Sequence, residues 1–519
     1  MAFNSILFER IEDNLKETAA LAPPDFLVDL NIDQIISAVT AGLDEYNLKP
    51  FFHHPLKTID AIRYRQEIMQ DLENKILLEA IRKFSRKMQK MRRYLGLIER
   101  LHFKRHKEGW FLEAIGIYCD AVTGLGRDLS RADLKSRGLS DFRKHVMTCI
   151  ESSGFTSLSA ETERLKHDLS GVKYCLIVRG DRVTVRKHEP ENDYSAEVEE
   201  TFKKFRQGAV EDYRAKLPIR SGMNHVEAAI LDFVAELHPE LFANLSNYCA
   251  RNIRFLDGKI SVFDREVQFY IAYLDHIARF QREGMKFCYP EISNRDKEVY
   301  SCEGFDLALA HKLVSAKTSI VCNDFYLKGR ERIFVVSGPN QGGKTTFART
   351  FGQLHYLACL GCPVPGRDAR LFLFDRIFAH FEKEENIKNL RGKLQDDLIR
   401  IHAILNQATS DSIIILNEVF ISTALADAIF LSEKVMKRIR QMDLLCVWVT
   451  FIVELASSGG ETVSMVSTVV PENPTLRTFK IVRKPADGLA YAISIAEKYG
   501  LTYDCLKERV EHESLPHAS

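Results

Sequence analysis

The sequence predicts a multidomain α plus α/β protein, a helical body followed by an α/β domain that carries a nucleotide-binding loop. Three observations predict it. Helical periodicity fills the first three fifths of the chain, short β-rich apolar runs cluster after about residue 300, and one of those runs leads directly into a glycine-rich loop.

In the helical part, residues 59–107 contain few breakers and keep apolar side chains at helical spacing, among them Ile62, Ile68, Leu72, Ile76 and Ile81. Val226, Ile230, Phe233, Leu237, Leu241 and Leu245 mark a second amphipathic stretch. The His238-Pro239 step is expected to kink or split it, because proline lacks the N–H and clashes with the preceding turn. Val267, Ile271, Leu274, Ile277 and Phe280 form a third stripe. Such stripes are core faces. One β feature interrupts the helices. Runs 172–178 and 183–187 flank a turn containing Gly180-Asp181, which reads as a hairpin followed by a polar loop, 188–194.

From about Cys302 the texture changes. Runs 333–336, 413–416 and 444–449 are continuous and apolar, as parallel strands buried on both faces must be. The expected organisation is a helical leader over 1–50, a helical core over 51–300 with a small hairpin insertion near 170–190, and an α/β domain over 301–510. The polar segment EISNRDKEVYS marks the boundary near 295–305, and the charged tail after Arg509 is expected to be loose.

Composition bounds the function classes. With 519 residues the chain exceeds one ordinary core, and an apolar fraction of 45% is that of a globular protein. Lysine plus arginine (72) balances aspartate plus glutamate (71), so nucleic-acid binding must come from a local basic surface. Acidic residues follow the short apolar start, which is not a secretory signal, and no apolar run is long enough to span a bilayer. The 11 cysteines have no metal-ligand spacing, and the Cys359/Cys362 pair lacks zinc partners. The expectation is a cytoplasmic protein with free thiols and no membrane partner.

The residues Gly338, Pro339, Asn340, Gln341, Gly342, Gly343, Lys344 and Thr345 fit G-x-x-x-x-G-K-[ST] at every fixed position, with Thr346 next. The string comes after a strand and opens a helix, the context a phosphate-binding loop requires. Glycines let main-chain N–H groups approach phosphate, and the helix start adds a favourable dipole. Lys344 is expected to neutralise the β- and γ-phosphates of ATP, and the Thr345 hydroxyl to ligate Mg²⁺. The apolar run 413–416 then ends in Asn417-Glu418. Glu418 is the candidate catalytic carboxylate, orienting or deprotonating water. Asn417 is a weaker, neutral partner for the Mg²⁺ shell, in place of the usual aspartate.

Taken together, these residues resemble the MutS mismatch-repair ATPases. GPNQGGKTT is similar to their P-loop, with the asparagine and paired glycines at the same places. Segment 361–365 (GCPVP) resembles the family's stretch after the P-loop helix. The run 413–418 with Ser422, Thr423 and Asp427 resembles its Walker B strand and the loop behind it. Upstream, His54-Pro55-Leu56 with Ile62, Arg65 and Gln66 resembles the start of their helical core, and Tyr289-Pro290-Glu291 with Asn323 the approach to the ATPase domain. The resemblance implies an ABC-type nucleotide domain on long lever helices, ATP and Mg²⁺ as cofactors, a homodimer that completes each ATP site, and DNA as partner. It departs from the family in three ways. Thr450-Phe451 stands where a threonine–histidine pair reaches the γ-phosphate, the opposing signature region is matched only loosely at 391–396, and about fifty residues precede His54. The expectation is a divergent branch without the mismatch-sensing front domain, with slow turnover. Phe111-Leu112-Glu113 fits the family's Phe-x-Glu wedge but falls inside an expected helix.

For DNA, Arg82, Arg86, Lys90 and Arg93 fall on one helical face within a basic cluster, and Arg179, Arg182, Arg186 and Lys187 of the hairpin are a second candidate. The alternative is a solvated helix face. The leading reading is thus a MutS-like ATPase binding DNA non-specifically or by structure, mismatches included. Its rival is an ATP-gated switch that organises protein partners without gripping DNA, and a small-molecule kinase is disfavoured.

Overall fold

The computed structural model describes residues 3–9, 23–189, 201, 222–382, 392–470, 472–486, 502–503 and 506–507. Arg391, the loop residues 190–194 and the tail after Arg509 lie outside them. The chain forms two compact units that interleave in sequence. One holds Met1–Phe3, Asn74–Leu134 and Ser140–Asp264, and the other Asn4–Glu73, Lys135–Leu139 and Arg265–Ser519.

The first unit is helical. Its helix Lys75–Arg100 starts at Asn74, whose side chain accepts from the N–H groups of Ile76 and Leu77. Leu77, Ile81, Phe84, Met88 and Met91 form its buried stripe. Phe84 meets Phe263, and Phe142 stacks on the same ring at 3.6 Å. The helix Lys104–Arg131 packs alongside, with Trp110 edge-on to Tyr94 at 4.5 Å. Phe111 lies within this helix against Phe255, and Glu113 takes Lys166, so both serve packing there. Pro239 does split its stretch. Helix His225–Leu237 ends at His238, and Pro239 opens helix Pro239–Arg251 at a position where its missing N–H costs nothing. Strands Tyr174–Arg179 and Arg182–Lys187 pair antiparallel, with Gly180 at φ +64° in the tight turn.

The second unit is built on a six-stranded sheet. Its order is Ile377–His380, Ile413–Asn417, Leu445–Val449, Ile333–Ser337, Thr462–Val470 and Asn473–Arg483. The first five run parallel and the last is antiparallel to its neighbour. Alternate residues Ile333, Val335, Ile414, Leu416, Cys446 and Trp448 share one core with Ile401, Met436 and Ile439 of helices Lys393–Gln407 and Leu425–Met442. The helix Lys344–Cys359 also packs on these strands and is itself buried from Phe351 to Cys359. Cover from helices explains why the strands are apolar without alternation. The polar stretch 291–301, expected to mark a boundary, contributes strands Glu291–Ser293 and Val299–Gly304 to a second, four-stranded sheet. Asp71 holds 135–139 in this unit by accepting from the N–H groups of Lys135 and Ser136. Among the described residues no helix is long and apolar enough to cross a membrane.

The N-terminal segment is threaded into this unit rather than lying on it. Ser5 and the Ile6 N–H donate to the buried carboxylate of Glu266 at 2.7 and 2.9 Å. Tyr64 donates to the Ser5 carbonyl, and Arg65 Nε to that of Leu7. Burial outweighs these hydrogen bonds and the nearby Arg65, and pushes the Glu266 carboxyl up to about 7. A carboxyl raised in the fold favours the protonated state. Its contribution to stability is complete below its ordinary value near 4.5 and is lost as pH rises through about 7. Thermal unfolding of the wild type is expected to show falling stability between pH 5 and 7.5. Glu266→Gln should flatten that slope, and an unchanged slope would assign it to other groups.

Candidate functional site

The glycine-rich loop leaves strand Ile333–Ser337 at the carboxyl edge of the parallel sheet, where Val336, Val449 and Asn417 lie level across three neighbouring strands. It then enters helix Lys344–Cys359. Gly338 and Gly343 take φ of +121° and +92°, conformations that a side chain resists. Sterics add a second requirement. A Cβ on Gly338 would stand 2.9 Å from Ser467 Cβ, and one on Gly342 would overlap Ser467 Oγ. Ser467 therefore buttresses the loop, and its hydroxyl donates to the Gly342 carbonyl at 2.7 Å.

Lys344 is buried. Its ammonium donates to the carbonyls of Gly338 and Pro339 at 3.0 and 3.1 Å and to Asn340 Oδ1 at 3.3 Å, with Glu418 Oε1 at 3.9 Å. Burial holds its pKa below the usual lysine value; Glu418 opposes the shift and Arg477 adds to it. Beside it the Thr345 hydroxyl donates to Asn417 Oδ1 at 2.8 Å. Glu418 comes next in a left-handed conformation, φ +53°, fixed by its N–H donating to the Val449 carbonyl. Strained non-glycine residues of this kind are held in place by their surroundings and concentrate at functional sites.

The sheet thus brings Lys344, Thr345, Asn417 and Glu418 together although more than seventy positions separate the two pairs. Thr450 is pinned by its N–H to the Val336 carbonyl, and Phe451 beyond it is half exposed. The described part of 391–396 opens helix Lys393–Gln407. One turn on, Asp397 takes the His380 ring at 3.0 Å and the Phe420 N–H at 3.4 Å, supporting the turn after Glu418. Arg82, Arg86, Lys90 and Arg93 lie on the outer face of Lys75–Arg100, away from its buried stripe. Glu79 engages both Arg82 and Arg86, and Lys90 sits over the Tyr94 ring.

Three residues near the loop escaped the sequence reading. Besides Ser467, Arg477 donates from Nε to the Asn340 carbonyl at 3.2 Å. Phe479, half exposed at φ +57°, has its carbonyl oxygen 3.7 Å from where a Cβ on Gly343 would stand, and that carbonyl takes the Asn323 amide. All three stand on the last two sheet strands, whose sequence reads only as β-rich. Pairing of Thr462–Val470 with the loop strand is what carries them there.

The donor set can be tested against Mg²⁺. Two adjacent ligands of an octahedral ion with bonds of about 2.0–2.1 Å are about 2.8–3.0 Å apart. The Thr345 and Asn417 oxygens are separated by 2.8 Å, so this pair fits two neighbouring vertices, with neutral oxygen ligands only. Among the described residues no cluster of three or more His, Cys, Asp or Glu side chains offers another metal site. Cys359 and Cys362 are both buried, and burial pushes both thiols up, away from the thiolate that metal or redox chemistry needs.

Fold and loop define a mixed α and α/β protein whose candidate ligand site lies at the carboxyl edge of a parallel sheet. The model of the MutS domain V family matches residues 334–514. The DNA mismatch repair protein MutS of Chlorobium phaeobacteroides is 26% identical over 305 residues, 57% of this chain and 33% of that protein. That of Fervidobacterium nodosum is 27% identical over 256 residues, covering 48% and 30%, and that of Zymomonas mobilis 29% over 213, covering 40% and 24%. Over residues 334–514 the chain is similar to domain V of the MutS family. The matches span a third or less of the length of these relatives.

The buttress can be tested directly. Gly342→Ala is expected to cost about 1–3 kcal/mol by overpacking against Ser467, and Ser467→Gly in the same chain should recover part of it. Gly154→Ala, in a helix with open space around the new methyl, should not destabilise. Equal unfolding midpoints for Gly342→Ala and Gly154→Ala would remove Ser467 as the constraint.

Proposed function

We propose that the chain is a MutS-like ATPase of slow turnover, in which ATP binding at 338–346 is the working event. The observation that carries this reading is the convergence of Lys344, Thr345, Asn417 and Glu418 at one sheet edge. In it, the loop N–H groups and the start of helix Lys344–Cys359 hold the phosphates. Lys344 exchanges its loop carbonyls for phosphate oxygens, and Arg477 adds a second positive charge from the neighbouring strand. Thr345 and Asn417 hold Mg²⁺, which supplies charge neutralisation of the phosphates. Glu418 accepts the proton of an attacking water. Phe451 contributes no hydrogen bond where the family's histidine would, and Asn417 brings no charge to the metal. Both departures favour binding over rapid hydrolysis.

ATP hydrolysis, and pairing of two nucleotide domains in a homodimer, are extended to this chain from its resemblance to the family. The relatives are named as DNA mismatch repair proteins. For this chain we extend that to DNA bound by backbone contacts along Arg82, Arg86, Lys90 and Arg93, with ATP-driven motion of the long helices. A specific observation favours the second reading, a switch for protein partners without DNA. Glu79 already compensates Arg82 and Arg86, as on a solvated helix face.

Lys344→Ala should weaken ATP binding by roughly a hundredfold or more, the size of lost charge-assisted bonds. Arg477→Gln should weaken it by roughly tenfold, and Glu418→Gln should leave it intact while lowering turnover roughly 10²–10⁴-fold. Equilibrium ATP titration and phosphate release measure these; wild-type turnover in Glu418→Gln removes that carboxylate from the mechanism. For DNA, a salt titration with duplex, junction and mismatched oligonucleotides should give steeply salt-dependent binding that Arg86→Glu/Lys90→Glu weakens. Absence of wild-type binding at low salt would favour the protein-partner switch.

A further inference from the structure

A second site lies in the same unit as the nucleotide loop. A cleft of about 560 Å³ is lined by Phe26, Lys57, Phe374, Arg376, Phe378 and Arg400, with His53 and His54 beside them. Sites for small molecules span roughly 300–1,000 Å³, so the volume is of the right size. Strand Ile377–His380 is the outermost strand of its sheet, and the residues lining the cleft, 374–379, begin ahead of that strand's amino end. The nucleotide loop sits at the carboxyl edge, so the two sites are distinct.

Counted formally, Lys57, Arg376 and Arg400 are balanced by Asp25, Asp29 and Asp375, which also line the cleft. Of the three carboxylates, that of Asp375 is already engaged on both oxygens. The two Asp375 oxygens take the hydroxyls of Ser412 and Thr409, each at 2.7 Å. The cations are less committed. Lys57 donates to the Asp375 main-chain carbonyl at 2.5 Å and Arg400 to that of Phe381 at 3.2 Å, and none of the three makes an ion pair among the described residues. Three cations left with spare donors and three aromatic rings suit a ligand that joins a phosphate to a flat ring.

The cleft wall is also fastened to the nucleotide-loop helix. Arg349 Nε donates to the Asp29 carbonyl at 2.9 Å, and the Tyr356 hydroxyl to that of Phe52 at 2.7 Å. The Leu56 N–H donates to the Cys359 carbonyl at 2.8 Å, and Phe26 meets the Tyr356 ring edge-on. We infer that this cleft is an effector site for a small phosphorylated, ring-bearing ligand of mononucleotide size, coupled to the nucleotide loop through helix Lys344–Cys359. A coupling of this kind is reciprocal, so an occupant that favours one arrangement of the helix alters ATP affinity.

The test uses the full chain carrying Lys344→Ala, which silences the nucleotide loop and so separates this site from the ATPase reading. Each of the four ribonucleoside monophosphates is titrated by calorimetry, with inorganic phosphate as the charge-only comparison. At least one monophosphate should bind more tightly than phosphate. The variant with Lys57→Gln, Arg376→Gln and Arg400→Gln, folded by circular dichroism, should lose at least tenfold in affinity. No binding up to millimolar concentration, or equal affinity in that variant, overturns the site. Hydrogen exchange reads the coupling. The bound monophosphate should slow exchange in 349–359 as well as in 53–57 and 374–379, and protection confined to the cleft segments overturns the effector role.

Discussion

A helix buried along most of its length must have its end groups satisfied by protein or ligand, because water cannot reach them. Helix Lys344–Cys359 sets this condition for the α/β unit. At its carboxyl end Arg65 donates to the Leu360 carbonyl, and the Leu56 N–H to that of Cys359. Arg65 is itself fully buried and reaches the N-terminal segment through the Leu7 carbonyl, which explains why residues 4–73 belong to this unit. At its amino end the loop folds back on itself, and Lys344 supplies the donor that its carbonyls need. One end is locked by side chains from distant segments and the other by a cation that can be redirected.

This asymmetry gives the departures at 417 and 451 their meaning. An aspartate at 417 would place a second carboxylate beside Glu418, close to a lysine already held below its usual pKa by burial. Asn417 keeps the oxygen and removes the charge, so the Thr345 hydroxyl and the amide pair without drawing on Lys344. Phe451, half exposed, leaves the adjoining surface apolar. Both features accord with the proposed reading, in which ligand binding outweighs turnover.

Much of this was legible in the sequence. The loop motif, the strand before it and the run ending in Asn417-Glu418 each carry local signals, and the parallel sheet brings them together as that pattern implies. The split at Pro239 and the hairpin at Gly180-Asp181 likewise follow from backbone chemistry confined to one or two residues. Ser467, Arg477 and Phe479 carried no local signal, because their role comes from a strand pairing 125 positions away from the loop carbonyl that Ser467 meets. The stretch 291–301 misled for a related reason. Its polar residues read as a domain boundary, yet Val299 and Ser301 are buried while Tyr300 is paired in the second sheet. Threading of 4–9 into the α/β unit was equally invisible, since Ser5 and Glu266 are 261 positions apart.

The two tryptophans fall one to each unit. Trp110 packs against Tyr94 with its indole N–H on His106, in the helical unit, whereas Trp448 lies wholly buried in the central sheet two residues ahead of Thr450. Their surroundings differ in polarity, so their emission spectra are expected to differ. The chain therefore carries its own pair of optical reporters, one for the helices and one for the sheet beside the loop. Replacing either tryptophan leaves a single tryptophan, so that with selective excitation unfolding or ligand response can be followed unit by unit without attaching a dye.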